Sequence, residues 1–187
     1  MRTGNLFVIS GPSGAGKGTL VARLVREVPD AWVSISATTR SPRPGEVDGV
    51  HYQFMTVDDF RGLVDQDGFL EWAEVHGNYY GTPLAPIREH MATGGQVILE
   101  IDVQGALQVR DRIPEAHLVF IEPPSLEELE RRLRGRGTES EDVIRTRMDN
   151  ARLELSAKME YDVQLVNDNL DESVKELVEL VDSYARS

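Results

Sequence analysis

Residues 6–19 read LFVISGPSGAGKGT, and the fold is decided there. The first five residues form an apolar run too short for a helix. The next seven, GPSGAGK at 11–17, fit the pattern G-x-x-x-x-G-K. Beyond Lys17, the apolar residues Leu20, Val21, Leu24 and Val25 recur with helical spacing until Pro29. A buried strand, a glycine-rich turn and a helix, in that order, are the setting in which this pattern cradles phosphate. Glycine lets the backbone wrap closely enough for several N–H groups to converge on phosphate oxygens, and the helix N-terminus adds partial positive charge. Gly11, Pro12, Ser13, Gly14, Ala15, Gly16 and Lys17 are therefore the candidate donor loop, with Lys17 long enough to reach the terminal phosphates. Gly18 stands where Ser or Thr usually ligates magnesium, and Thr19 follows it. This predicts an ion held by phosphates and water rather than by a direct protein ligand, with Thr19 donating to a phosphate.

Outward from the loop, short apolar runs alternate with helical patterns. Residues 97–101, 117–121 and 163–166 read as strands, and helices are expected after 102, from 125 to 135, within 140–161 and after 170. Thr56 with Asp59 and Ser125 with Glu128 have the spacing of helix N-caps. On the last helix Leu170, Val174, Leu177, Val178 and Val181 form one apolar stripe. Apolar strands separated by helices imply an α/β fold, a parallel sheet covered on both faces. Residues 36–95 break the rhythm. Residues 32–39 read as extended and 41–49 (SPRPGEVDG) as loop, with a short strand at 52–55, an ambiguous run at 69–75 and loop again over 77–86. An inserted lobe is expected in this stretch.

Composition narrows the function. The chain has 187 residues, 40% of them hydrophobic, which suits one compact domain. Its 20 basic residues against 32 acidic ones give a formal charge of −12, which argues against a general nucleic-acid or anionic-membrane surface. It holds no cysteine, so disulfides, thiol catalysis and thiolate zinc sites are excluded, and its four histidines lack ligand spacing. With no secretory segment and no long apolar run, the expectation is a soluble, cytoplasmic protein.

A phosphate loop alone covers ATPases, GTPases and kinases. The guanine-reading N-K-x-D of GTPases is absent. A small-molecule kinase needs an acceptor side, and acids and arginines supply candidates. Glu100 and Asp102 lie two apart at the carboxyl end of a buried strand, the edge onto which the phosphate loop also opens. Seven of the 17 arginines fall within 131–152 against four acids, a local net charge of +3 in an acidic chain. Most of these arginines read as partners of nearby glutamates on helices.

Taken together, GPSGAGKGT (11–19), SISATTRSPRPGEVDGVHYQF (34–54), GFLEWAEVHGNYYGTP (68–83), VILEIDVQGA (97–106), GRGTES (135–140) and LVND (165–168) resemble the guanylate kinase family, in the family's order and across nearly the whole chain. The resemblance implies a phosphate-loop NTPase core (1–35, 96–126, 156–187), an inserted nucleoside-monophosphate-binding lobe (36–95) and a helical lid (127–155). It implies transfer of the γ-phosphoryl group of MgATP to GMP, with dGMP as a further acceptor. By position, Glu71 reads the guanine edge, where N1–H and the exocyclic amine are adjacent donors to a carboxylate. Ser36 and Thr82 meet the base, and Arg40, Arg43, Tyr52 and Tyr80 hold the acceptor phosphate. Glu100 and Asp102 contact the acceptor nucleotide, and Asp102 or Thr19 organises the magnesium ion indirectly. Arg136 and Arg147 match lid arginines that close over the transferring group, with Arg132 behind them. Asn167 and Asp168 match the turn touching the donor's adenine. Two other readings stay open on sequence: a non-catalytic module of the same fold that binds phosphopeptides, and a kinase acting on another small phosphorylated acceptor such as a ribosyl phosphate.

Overall fold

The computed structural model describes residues 2–135 and 140–186. In chain order its elements are β1 (Asn5–Ser10), α1 (Lys17–Glu27), β2 (Ala31–Val33), β3 (Ala37–Thr38), β4 (Gln53–Phe54), α2 (Val57–Asp65), β5 (Phe69–Val75), β6 (Asn78–Pro83), α3 (Leu84–Ala92), β7 (Gln96–Glu100), α4 (Val103–Arg112), β8 (His117–Glu122), α5 (Leu126–Gly135), α6 (Glu141–Ser156), a 3-10 turn (Lys158–Glu160), β9 (Val163–Val166) and α7 (Leu170–Ala185). Five strands make a sheet of order β2-β7-β1-β8-β9, in which every pairing is parallel.

Strand alternation explains why β1 is apolar throughout. Phe7 and Ile9 pack on one face with Leu20 and Leu24 of α1 and Val174, Leu177 and Val181 of α7. Leu6 and Val8 pack on the other, with Leu84 and Ile87 of α3 and Ala106 and Val109 of α4. Both faces are covered, so neither set of alternating side chains can be polar. From central β1 the chain moves out to β2, returns to β7 beside β1, then crosses to β8. That order opens a crevice at the carboxyl ends of β1 and β7, where ligands of such sheets bind.

A second sheet, order β4-β3-β6-β5, has its own small core of Ala37, Phe60 and Phe69. Helices α5 and α6 pack on each other through Leu129, Leu133, Ile144, Met148 and Ala151. The two expected N-caps form: Thr56 and Ser125 accept the backbone N–H groups of Asp59 and Glu128, both at 3.1 Å.

Three segments differ from the sequence expectation. The extended run 32–39 is two strands in different sheets, because the chain leaves the first sheet after Val33 and joins the second at Ala37. The ambiguous run 69–75 is β5. Residues 77–86, expected as loop, hold β6 and the start of α3. The β5–β6 turn is the dipeptide His76-Gly77, with φ of 51° and 77°, a two-residue hairpin turn without the usual Asn or Asp to signal it. Pro86, which reads as punctuation, sits in the first turn of α3, where a missing N–H costs nothing. The long helix expected within 140–161 is α6, capped by Ser140 and ending at Ser156.

Candidate functional site

The phosphate loop is built by close approach. A Cβ on Gly11 would lie 2.2 Å from the Ile121 carbonyl oxygen, and one on Gly16 would lie 2.4 Å from Asn167 Nδ2. Both glycines have positive φ, 147° and 92°. Lys17 opens α1 and donates to the carbonyls of Gly11 and Pro12, at 3.1 Å for the latter. Burial pushes its ammonium pKa down, opposed by the nearby carboxylates of Glu100 and Glu154. Asn167 is buried and donates from Nδ2 to the Ala15 carbonyl at 2.8 Å. Its own carbonyl accepts from Arg132 at 3.2 Å. Asn167 is thus a clamp between the loop and α5. Asp168 beside it is exposed. Asn167→Ala is expected to cost about 1–3 kcal/mol of stability by orphaning the Ala15 carbonyl. The same variant should raise the KM for ATP about tenfold while GMP binding holds, as checked by thermal melting and steady-state kinetics.

A cavity of about 290 Å³ has Ser36, Tyr52, Glu71, Tyr80, Asp102 and Gly105, among others, on its wall. Thr82 is buried in β6, directly opposite Glu71 in β5, and donates from its hydroxyl to Glu71 Oε1 at 2.5 Å. Burial raises the Glu71 carboxyl pKa, the Thr82 bond lowers it, and the charge of Asp102 raises it further. Gly105, at the start of α4, keeps the space beside Glu71 open, since a Cβ there would lie 3.2 Å from Oε2. Tyr52 and Tyr80 meet edge to face with centroids 6.2 Å apart. Arg40 lies over the Tyr52 ring at 5.3 Å and forms a two-pronged ion pair with Glu46, at 2.9 and 3.0 Å. Arg43 is exposed, and its backbone N–H also donates to Glu46.

Between these sites lies a second cavity of about 270 Å³, with Gly11, Ser13, Lys17, Glu100, Ile101, Asp102 and Glu154 on its wall. Ile101 and Asp102 line both cavities, so Lys17 and Glu71 open onto a shared divide at the end of β7. Asp102 also caps α4, accepting the Gly105 N–H at 2.8 Å. Glu100 is exposed, with its carboxylate 3.7 Å from where a Cβ on Gly18 would be. From α6, Arg147 donates to the Ser13 hydroxyl at 3.2 Å. Arg136 lies outside the described residues.

Three groups have no counterpart in the sequence-based set. Glu46 closes on Arg40. Glu154, one helical face along from Arg147, faces Lys17, and burial raises its carboxyl pKa. Gly105 leaves space beside the Glu71 carboxylate. Only Glu46 carries a sequence signal, an acid three residues after Arg43 in the same Pro- and Gly-rich loop. Trp32 and Trp72 pack, on His90 (3.9 Å) and on Phe60 and Tyr79 respectively. The His51 ring accepts the Val47 N–H within its turn. Among the described residues no group of three or more His, Cys, Asp or Glu is arranged to hold a metal, and no helix is long and apolar enough to cross a membrane.

Known proteins fit this geometry. The family model described as guanylate kinase matches residues 3–184. A protein named guanylate kinase from Synechococcus sp. (strain CC9902) is 55% identical over 174 residues, 93% of each chain. One of the same name from Thermobifida fusca is 54% identical over 176 residues, covering 94% of this chain and 90% of its own. The crystal structure of guanylate kinase from Anaplasma phagocytophilum superposes with a TM-score of 0.78 at 30% identity, over all of this chain and 88% of that one. A shikimate kinase from Bacteroides thetaiotaomicron, 17% identical with a TM-score of 0.51, shares the fold over 97% of this chain and 99% of its own. Matched over almost its entire length by the family model and by relatives more than half identical, the chain belongs to the guanylate kinase family.

Proposed function

We propose that the chain transfers the γ-phosphoryl group of MgATP to GMP, giving ADP and GDP, with dGMP as a second acceptor. One observation carries the reading beyond family membership: Glu71, the residue that would read guanine, and the phosphate-loop lysine line adjoining cavities that share Ile101 and Asp102. Two nucleotides bound there meet phosphate to phosphate across the end of β7.

Phosphoryl transfer asks little covalent chemistry of a protein, so alignment and charge do the catalysis. The loop amides of residues 11–19 and Lys17 hold the donor's phosphates, and Asn167 and Asp168 border its adenine. Glu71 accepts from the guanine N1–H and amine, with Thr82 fixing its rotamer and Ser36 alongside. Arg40 and Arg43, with Tyr52 and Tyr80, take the acceptor's phosphate. Arg147 reaches the junction from α6. Magnesium enters with the ATP. Thr19, Glu100 and Asp102 fit it through water, since Asp102 spends one oxygen on the α4 cap and Gly18 offers no ligand. Bound there, the ion neutralises charge on the transferring phosphates.

Residues 36–95 act as the acceptor lobe and 127–155 as the lid, on a core of 1–35, 96–126 and 156–187. Closure over both nucleotides excludes the water that would otherwise hydrolyse ATP. The activity belongs to purine nucleotide interconversion, and we place it in the cytoplasm.

The direct test is ADP formation from MgATP with and without GMP. Release should need both nucleotides, and ADP formed equally well without GMP would contradict the reading. Arg147→Ala should lower kcat by about 10²-fold while changing the KM for GMP less than about threefold, because this guanidinium acts on charge that develops late.

A further inference from the structure

Residues 40–46 fold a carboxylate back onto the arginine assigned to the acceptor's phosphate. Glu46 accepts from Arg40 Nη1 and Nη2 at 2.9 and 3.0 Å, and from the Arg43 N–H at 2.7 Å. Arg40 Nη1 also donates to the Ser41 carbonyl at 2.8 Å. A guanidinium has five N–H bonds in a fixed plane. These contacts use both hydrogens on Nη1 and one on Nη2; the Nε–H and the other Nη2 hydrogen form the opposite edge, on the side where the Tyr80 hydroxyl interacts with the guanidinium. The two remaining donors share one edge, the geometry that grips a phosphate with two parallel bonds.

The surroundings fix that plane. Tyr52 and Phe54 lie against the guanidinium at 5.3 and 5.7 Å, and the Tyr80 hydroxyl faces it. Tyr52 and Tyr80, not Arg40, form the cavity wall here. Arg40 Nε is buried with no partner, a donor left for an acceptor to complete. The side chains of Arg40 and Glu46 are only 13% and 18% exposed, unlike a solvated surface pair.

We propose that Glu46 is a positioning residue of the acceptor site: it clamps one edge of Arg40 so that the opposite edge, Nε–H with the remaining Nη2–H, is presented to the phosphate of GMP. The inference rests on the assignment of Arg40 to that phosphate. A carboxylate merely standing in for phosphate would occupy the gripping edge and would have to leave. Glu46 instead takes the other edge and is tied to the backbone of its own turn.

The test is calorimetric binding of GMP and of guanosine to the wild type and to E46Q, with melting to check folding. E46Q should weaken GMP about 10–100-fold, as loss of a charge-assisted contact does, and leave guanosine within about twofold. With GMP saturating, kcat should stay within about threefold. In an R40K background, E46Q should add less than about threefold to the loss of GMP affinity, because it acts through Arg40. GMP binding unchanged or tighter in E46Q overturns the proposal, as do equal losses for GMP and guanosine or full additivity with R40K. If E46Q does not fold, E46D is measured instead, and a parallel loss of both ligands again overturns it. A wild type that binds GMP no better than guanosine would instead remove Arg40 from the phosphate site.

Discussion

Lys17→Ala is expected to reduce kcat about 10³-fold or more while leaving the affinity for GMP within about twofold. Among the described residues Lys17 is the only lysine lining either cavity, and it stands half-buried at the first turn of α1 among the loop carbonyls and the carboxylates of Glu100 and Glu154. Burial works against its charge, and phosphates favour it, so the group interacts most strongly when a polyanion fills the loop. Its removal takes away a cation placed to meet charge moving from the β–γ bridge onto the transferring group, which Arg147 alone cannot replace from the far side of the loop. The acceptor cavity has no contact with Lys17, and so its ligand should bind as before. Single-turnover transfer and GMP calorimetry separate the two effects. Equal loss of both would place Lys17 in a structural role.

Glu71→Gln is expected to raise the KM for GMP by about 10²–10³-fold with ATP binding unchanged, since a site built to pair polar groups fails sharply when one is reversed. Gln keeps one acceptor but turns an NH₂ towards a guanine edge that carries only donors. The Thr82 hydroxyl then pairs with an amide oxygen that is also needed by the base. The same geometry sets a pH dependence. Burial holds the Glu71 carboxyl pKa above the ordinary 4.5. As pH falls through that raised value, one oxygen becomes a donor and guanine loses an acceptor. The kcat/KM for GMP should therefore show an acid limb centred above 4.5, absent from ATP binding and removed by Glu71→Gln. Stability of the free protein moves the other way. A carboxyl with its pKa raised on folding binds more protons folded than unfolded, so protonating Glu71 stabilises the free fold as pH falls through the same window.

Much of this arrangement is legible in the chain because it obeys local rules. The loop at 11–17 sits between a strand and a helix that periodicity alone identifies, and the caps at Thr56 and Ser125 form where the spacing places them. Parallel pairing also follows from β1 being apolar on both faces. What was hidden is non-local. Strand β6 carries Tyr79, Tyr80 and Gly81 in place of a clean alternation, and it is a strand because β5 and β3 pair with it on either side. Its turn uses His76, whose positive φ no sequence rule assigns to histidine over asparagine.

Individual site residues divide in the same way. Glu71 and Thr82 are 11 positions apart, and their hydrogen bond depends on a hairpin register that passes through an irregularity between Phe69 and Glu71. Asn167 resembles an adenine contact in sequence, and one hydrogen of its amide also holds the Ala15 carbonyl. Only the packing of β9 beside β8 brings it under the loop. Glu154 carries no motif and faces Lys17 because α6 lays one side across the loop, the side that also sends Arg147 to Ser13.

The most direct measurement is initial-rate ADP formation by the wild-type chain with MgATP and, in turn, GMP, dGMP, AMP and ribose 5-phosphate. GMP and dGMP should be turned over, and AMP and the ribosyl phosphate should fall at least about 10³-fold lower in kcat/KM, because neither offers Glu71 two adjacent donors. Turnover of AMP at a rate comparable to GMP, or none with GMP, would contradict it.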